Sequence, residues 1–214
     1  MESYILDTNL FFNFEPGMGL AKKTHDVLVL MTTIAKTMKE KKEGTFVMSP
    51  RVVDELLSFF ENKQESDVQS FLSAITTQSP DLQTVTVPTH AVSSLVEETR
   101  QRSYRGLQVA EEEIQQAAHA FTGSEVLQKV PFQKKIGEFI RHFRERYRQA
   151  TRVGFIDSVA DLESILLAKQ LNGTLVTTDE GLLHWAREFG AKEMPAAAFG
   201  KRMQVFLHHP ESTG

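Results

Sequence analysis

The fold of this chain is decided by residues 154–181, GFIDSVADLESILLAKQLNGTLVTTDEG, which hold three aspartates and predict a helix, a strand and a second helix. Asp157 and Asp161 are four residues apart. In a helix their carboxylates would lie on one face, with Cβ atoms roughly 6 Å apart. Two carboxylates this close repel each other unless a cation lies between them. The pair is therefore the first indication of a cation site.

Apolar residues on the same predicted helix indicate which side faces a core. They recur at steps of four, three and four residues, a spacing typical of a buried helix stripe, at Phe155, Val159, Leu162 and Leu166. Gly173 ends the helix, and Thr174–Thr177 predicts a short buried strand. Asp179 then follows the carboxyl end of that strand, where ligands bind in open α/β sheets.

The start of the chain repeats the arrangement of a strand followed by an acid. Tyr4–Leu6 predicts a first strand, and Asp7 comes directly after it. Ser49 and Pro50 form a helix start that places Glu55 inside the next helix. Strands and helices alternate, which predicts a parallel sheet with helices on both faces. The other predicted elements are helices at Leu20–Lys41, Glu65–Thr76, Leu182–Phe189 and Pro195–Phe206, and strands at Thr45–Met48, Thr84–Val87 and Lys192–Met194.

From Thr89 to about Ala150 the alternation stops, and two helical segments interrupted near Gly123 predict an inserted helical hairpin. We therefore expect an α/β domain made of residues 1–88 and 151–207, a hairpin arm at residues 89–150, and a frayed tail at residues 208–214. The second half of the arm is basic, because residues 129–152 contain eight Lys or Arg and two Glu, a local net charge of +6. From charge alone, such a helix is more often a solvated charged face; if it binds a phosphate-bearing ligand, the candidate residues are Arg141, Arg144, Arg148 and Arg152.

Composition limits the classes of function. The chain has 214 residues, a net charge of −4 and no cysteine. Disulfides, thiolate metal sites and a cysteine nucleophile are therefore excluded, and oxygen-ligand metals are favoured. The sequence shows no apolar run near the length of a membrane span and no secretory leader, so a cytoplasmic location is the expectation.

The acids at strand ends and helix starts predict metal-dependent phosphodiester hydrolysis. A parallel sheet would gather four of them at one edge, Asp7, Asp157, Asp161 and Asp179, with Glu55 as a fifth candidate. Mg²⁺ prefers carboxylate and water oxygens, and such ions can generate a nucleophile and stabilise a leaving oxygen. Arginines on the arm would then supply phosphate contacts.

Purely structural roles compete with these assignments. Ser158-x-x-Asp161 and Thr177-x-x-Glu180 both fit a capping box, in which an acid closes a helix terminus. The recurring aromatic residues of the arm, Phe139, Phe143 and Tyr147, favour a hairpin core or a subunit contact over base stacking. Trp185 is expected in the core, and three histidines are weak metal candidates: His184, His208 and His209.

Four segments carry a family resemblance that covers nearly the whole chain. ILDTN at residues 5–9, SPRVVDELL at residues 49–57, FIDSVADLESILLA at residues 155–168 and LVTTDEGLLHWA at residues 175–186 resemble the PIN-domain nucleases. A D-x-x-x-D pattern directly after a long helical hairpin is similar to the protein-only, RNA-free ribonuclease P family known as HARP. That resemblance implies a PIN-like α/β fold with an inserted arm.

The resemblance also implies an activity and its residues. It implies removal of the 5′ leader from precursor tRNA without an RNA subunit, with Mg²⁺ or Mn²⁺ held by the four aspartates. Arg144 and Arg148 would contact the tRNA. The arm would mediate a homo-oligomer in which dimers assemble further, with a dodecamer among the expected forms. Glu55, Glu163 and Glu180 are lower-ranked acids of the same region.

Other functions remain compatible with parts of the sequence. A toxin-type PIN ribonuclease acting on other RNA fits the acids, but such toxins are usually near the minimal domain and lack the arm. A catalytically inert RNA-binding scaffold fits the fold, although the intact acidic set argues against it. A phosphatase would need a second aspartate where Asn9 stands, and a receiver domain would need an acid pair before the first strand, where Glu2 stands alone.

Overall fold

The structure, a computed structural model, describes residues 1–14, 17–123 and 128–207. The predicted tail, with His208 and His209, lies outside those residues. The chain divides into two compact units, one formed by Met1–Pro88 with the residues from Ile156 onward, and one formed by Thr89–Phe155.

A parallel five-stranded sheet in the order β3-β2-β1-β4-β5 organises the first unit. Its strands are β1 (Glu2–Leu6), β2 (Gly44–Met48), β3 (Thr76–Thr77), β4 (Thr174–Thr177) and β5 (Lys192–Pro195). The helices of this unit are α1 (Thr24–Glu40), α2 (Pro50–Ser58), α3 (Ser66–Ala74), α6 (Val159–Gln170), α7 (Glu180–Glu188) and α8 (Ala196–Met203). Short 3-10 turns at Thr8–Phe11 and Gln204–Phe206 complete it. The predicted α/β fold with a parallel sheet is confirmed.

Strand β1 shows why both faces of the sheet are covered. Successive side chains of a strand point to opposite faces. Tyr4 and Leu6 join the large core that α1, α3 and α8 contribute to, while Ile5 is fully buried outside that cluster. The chain leaves β1 towards β2 and leaves β4 towards β5, in opposite directions. Right-handed crossovers then place α1 and α7 on opposite faces of the sheet.

The third strand lies earlier in the chain than the sequence pattern predicts. Residues 84–87 form no strand, whereas β3 is the pair Thr76–Thr77, directly after α3. Both residues of β3 are exposed, and within the described part of the chain β2 is the one strand that pairs with it. A two-residue edge strand carries no apolar alternation, so its position depends on tertiary pairing rather than on local pattern.

The first helix predicted within residues 154–181 begins later than the sequence pattern indicates. Helix α6 starts at Val159, and Ser158 is its N-cap, so Phe155 and Asp157 precede the helix. Val159 is 56% exposed, so the predicted apolar stripe is wrong. The buried residues of α6 are Ser164, Ile165, Leu166, Leu167 and Ala168, a continuous run. A helix buried on most sides shows no clear stripe, which explains the error.

The second unit is the predicted helical hairpin. Its helices are α4 (Thr89–Phe121) and α5 (Lys129–Thr151), which pack against each other. Gly106 on α4 allows the Tyr147 ring to approach, because a Cβ atom there would lie 2.9 Å from it. Glu113 is buried on α4 and pairs with Arg146 of α5 at 2.8 Å. Within the described ranges, no helix is long and apolar enough to cross a membrane.

Candidate active site

The centre of the candidate site is the carboxyl edge of the two neighbouring strands β1 and β4. Asp7 follows β1, and Thr177 is the last residue of β4. The Thr177 hydroxyl donates a hydrogen bond to Asp7 Oδ2, and the Asp7 backbone N–H donates to the Val176 carbonyl at 3.2 Å. The chain turns away from these strands in opposite directions, and such a switch point opens the crevice where ligands bind in α/β sheets.

Asp7 is a buried acid whose charged form is disfavoured. The residue is only 5% exposed to solvent. Burial raises the pKa of Asp7 to about 6, and the neighbouring charges of Glu55 and Asp179 add to that effect. Hydrogen bonds from Thr177 and from the Thr8 backbone oppose it. A carboxyl group held in this way gains stability when a cation neutralises its neighbours.

The pKa of Asp161 is affected by the charges of the other three aspartates. It lies in the first turn of α6, where its backbone N–H donates to the Ser158 Oγ at 3.0 Å. Burial raises the pKa of Asp161 to about 6, and the charges of Asp7, Asp157 and Asp179 raise it further against a hydrogen bond with Ser158. The structure therefore brings the four predicted aspartates into one electrostatic cluster. Ser158 caps α6 as predicted, and its capping role coexists with this clustering.

Asp179 and Glu180 differ from the predicted capping box. Asp179, not Thr177, is the N-cap of α7, and its Oδ1 accepts from the backbone N–H of Gly181 at 2.7 Å and of Leu182 at 3.1 Å. Both bonds use Oδ1, so capping does not require Oδ2. Glu180 is exposed at the first position of α7 and fills no reciprocal cap role. Sequence spacing alone could not distinguish two candidate caps two residues apart.

Two further acids are fixed by partners from the same unit. Glu55 on α2 accepts a hydrogen bond from the Thr8 hydroxyl at 3.0 Å, which holds it beside Asp7. Glu163 on α6 instead pairs with the Arg51 Nε at 2.8 Å, and its side chain is only 14% exposed. Glu55 thus belongs to the cluster around Asp7, while Glu163 joins α6 to α2.

The donor set suits a hard divalent cation, although it is not a closed cage. Among the residues described, no three acidic or histidine side chains are grouped closely enough to form a metal site. Mg²⁺ keeps several of its waters and commonly uses one or two carboxylates with substrate phosphates. Asp7 and Asp161, both with a pKa raised to about 6, are the carboxylates that gain most from such a cation. His184 is exposed on α7, whereas Trp185 is buried as predicted.

Sequence reasoning missed the threonines that hold the acids. Thr8 holds Glu55, and Thr177 holds both the Asp7 carboxylate and the Asp179 backbone N–H, the latter at 3.0 Å. Both hydroxyls are buried. The available signal was position, since Thr8 directly follows Asp7 just after β1, and Thr177 ends β4 two residues before Asp179. A buried hydroxyl needs a partner, and here each hydroxyl donates to an acid that is distant in sequence, Glu55 for Thr8 and Asp7 for Thr177.

Thr177→Val is expected to shift the acid limb of the pH–rate profile for RNA cleavage to higher pH. The Thr177 hydrogen bond lowers the pKa of Asp7, so its loss raises that pKa and leaves less ionised Asp7 at a given pH. A pH–rate profile of RNA cleavage measures the shift. Thr177→Ser keeps the hydroxyl and serves as the matched control. Identical profiles for the valine and serine variants would contradict this role.

The candidate RNA-binding arginines lie on or next to α5. All four, Arg141, Arg144, Arg148 and Arg152, are exposed. Arg148 Nη2 lies 3.2 Å from Glu145 Oε1, and Arg152 is the C-cap of the helix. Arg146 differs, because it pairs with Glu112 and Glu113 across the hairpin. Arg146 is therefore not part of the exposed basic surface of α5. It is nevertheless one of the eight basic residues counted in residues 129–152.

Comparison with known proteins identifies the family. Residues 3–208 match the PINc domain ribonucleases, whose members generally depend on divalent metal ions. A relative from Hyperthermus butylicus is 38% identical over 78% of this chain and 72% of its own length. Relatives from Methanopyrus kandleri, 31% identical over 96% of this chain and 94% of its own, and from Nitrosococcus oceani, 32% over 90% and 89%, are also similar. All three are named RNA-free ribonuclease P. The chain therefore belongs to the PINc domain ribonucleases and, within them, to the RNA-free ribonuclease P family of endoribonucleases.

Proposed function

We propose that this protein removes the 5′ leader from precursor tRNA, without an RNA subunit, at a Mg²⁺ site for which Mn²⁺ can substitute. The observation that carries the proposal is the meeting of acids at the carboxyl ends of β1 and β4, where the Thr177 hydroxyl bonds both the Asp7 carboxylate and the Asp179 backbone N–H. The charges of Asp7, Asp157 and Asp179 raise the pKa of Asp161 beside them. A cytoplasmic location is part of the same proposal.

The proposed reaction is hydrolysis of one phosphodiester bond. The oxygen of water bonds to phosphorus, and the leader departs through its 3′ oxygen, so that the tRNA keeps a 5′ phosphate. Mg²⁺ would supply a lowered pKa for the attacking water and charge stabilisation at the phosphate. Asp7 and Asp161 would hold the cation, with Asp157 and Asp179 at the exposed side of the cluster. Thr177 orients Asp7, and Thr8 keeps Glu55 beside it.

The hairpin arm, taken as residues 89–150, would bind the tRNA and hold the subunits together. Arg141, Arg144, Arg148 and Arg152 would contact phosphates, because exposed guanidinium groups bind them without regard to sequence.

Apolar side chains on the arm support a homo-oligomer. Within the described residues, α5 has no fully buried side chain. Ile114 is 69% exposed and Ile140 is 44% exposed, and both line an apolar groove between α4 and α5 together with Phe139 and Phe143. We expect dimers to form and to assemble further, with a dodecamer among the expected forms. The subunit contacts would cover this apolar surface. Light scattering at micromolar concentration measures the mass, and a monomer would contradict the assembly.

The activity is tested by incubating the protein with a 5′-labelled precursor tRNA, in Mg²⁺ and in EDTA, and mapping the product. We expect cleavage at the leader junction in Mg²⁺ alone, with a 5′ phosphate on the mature tRNA. Cuts elsewhere in the RNA would favour a toxin-type PIN ribonuclease. Binding without any cut would favour an inert scaffold.

A further inference from the structure

One face of α2 presents a cation, an acid and an aromatic ring in a row. Arg51, Glu55 and Phe59 are four residues apart in sequence. Phe59 is the C-cap of α2 and keeps right-handed helical dihedrals, so all three lie on the same side of the helix. The row spans about 12 Å along the helix axis. We call these three residues the α2 row.

Two contacts join the α2 row to the segment that follows Asp7. Thr8 donates its hydroxyl to Glu55, and the Phe12 ring lies 4.2 Å from the Phe59 ring, centre to centre. The partners are four residues apart on both segments, so the two run side by side. The α2 row is therefore part of the same edge of the sheet as the buried acid Asp7.

Phe59 is an exposed aromatic ring held in a fixed orientation. Its residue is 57% exposed, and its ring is inclined by 35° to that of Phe12. The next residue, Phe60, packs instead against the hydrophobic core. One face of the Phe59 ring is thus supported by the protein while much of the ring remains accessible. Such a ring suits the planar face of an unpaired base.

Arg51 is an exposed guanidinium group held by one edge. Its side chain is 61% exposed, and its Nε lies 2.8 Å from Glu163 Oε1. This ion pair uses Nε, so the terminal nitrogens Nη1 and Nη2 remain for other acceptors. The Glu163 side chain is only 14% exposed, so packing limits the movement of the carboxylate that holds Arg51. A guanidinium fixed in this way presents a planar pair of donors to a phosphate.

We propose that the α2 row binds the single-stranded leader of the RNA beside the scissile phosphate, with a base stacked on Phe59 and a phosphate on Arg51. This inference rests on the proposed function. Stacking requires an unpaired base, and the leader supplies unpaired nucleotides next to the cleavage point, whereas bases of the acceptor stem are paired. Glu55, between the two contacts, is held by Thr8 beside Asp7, which places the α2 row next to the acidic cluster.

The first test compares precursor tRNAs with a single-nucleotide leader and with a longer leader, in single-turnover cleavage with enzyme in excess of substrate but below saturation. We expect Phe59→Leu to lower the rate with the long leader by about tenfold, as lost base stacking does. Phe59→Trp should restore it, because it keeps an aromatic face. Leu82→Ala, at a residue 66% exposed elsewhere in this unit, is the control and should change neither rate.

The second test measures how binding of the long-leader substrate depends on salt. Arg51→Gln is expected to reduce the salt slope by about 0.7, the value for one phosphate contact on a single strand. Arg187→Gln is the matched control. Arg187 is 54% exposed and pairs with Glu193 at 2.8 Å, yet it lies in the last turn of α7, away from the edge where that helix begins.

The outcomes separate this inference from the function on which it rests. If the wild-type protein cuts at the leader junction but Phe59→Leu affects short and long leaders equally, the leader contact is overturned and the function stands. The same holds if Phe59→Leu and Phe59→Trp are impaired alike, which would show a packing role for Phe59. If the wild-type protein does not cut precursor tRNA, both proposals fall.

Discussion

Asp7→Asn is expected to lower the rate of RNA cleavage by about a thousandfold or more, the effect of losing several kcal/mol of metal-assisted stabilisation. The amide has no charge with which to hold a cation, and it sits where β1 meets β4. Single-turnover cleavage in Mg²⁺ measures the loss. Asp26→Asn, at an exposed position in the first turn of α1, is the matched control and should cut normally. A rate within tenfold of the wild type would remove Asp7 from the catalytic site.

The same substitution should make the metal-free protein more stable at neutral pH. Burial raises the pKa of Asp7 from 3.8 to about 6. Its contribution to stability is therefore full below about pH 4 and is lost as the pH rises through about 6. At pH 7, ionisation of this buried carboxyl group lowers the free energy of unfolding by about 3 kcal/mol relative to its protonated form. Asp7→Asn removes that cost, so denaturation in EDTA should show a gain at pH 7 and little change at pH 4. A loss of stability at pH 7 would mean that the cleavage defect reflects misfolding.

Replacing Arg144 and Arg148 together by Ala is expected to weaken binding of precursor tRNA and to flatten its salt dependence. Loss of two phosphate contacts should reduce the slope of log affinity against log salt by about 1.4 to 1.8. Both side chains are exposed on α5, so the fold should be unaffected. Binding measured across a series of salt concentrations, in the absence of cleavage, gives the slope.

The control for this variant is Arg100→Ala on the other helix of the arm. Arg100 is 81% exposed and approaches Glu97 three residues away, much as Arg148 approaches Glu145. Its loss should leave the salt slope unchanged. If the double variant binds with the wild-type slope, the basic surface of α5 does not hold the RNA. If the control lowers the slope as much, the effect is one of overall charge.

The sequence pattern predicted the central strands and the start of α2, because each is marked by neighbouring residues. The central strands β1 and β4 are apolar runs bounded by polar residues, and Ser49 with Pro50 is a helix start of the usual kind. Asp7 and Asp179 follow directly from those strands, because a parallel sheet collects the carboxyl ends of its strands at one edge.

Other parts depend on contacts between distant segments. Strand β3 has two exposed residues and is defined only by pairing with β2. Asp157 precedes α6 rather than starting it, since the cap Ser158 comes one residue later. Glu163 looks like a third acid of the D-x-x-x-D helix, but its partner Arg51 lies 112 residues earlier in the sequence. No local pattern contains that ion pair, so the roles of Glu55 and Glu163 separate only in three dimensions.

The most direct test of the acidic cluster is calorimetric titration of the metal-free protein with Mn²⁺ at pH 6, in buffers of different ionisation enthalpy. Near this pH Asp7 and Asp161, with a pKa of about 6, are partly protonated, and a cation that binds them must displace protons. We predict binding that releases protons in wild type and is lost in Asp7→Asn. Binding without proton release, or equal binding by Asp7→Asn, would show that the cation lies elsewhere and would contradict the account.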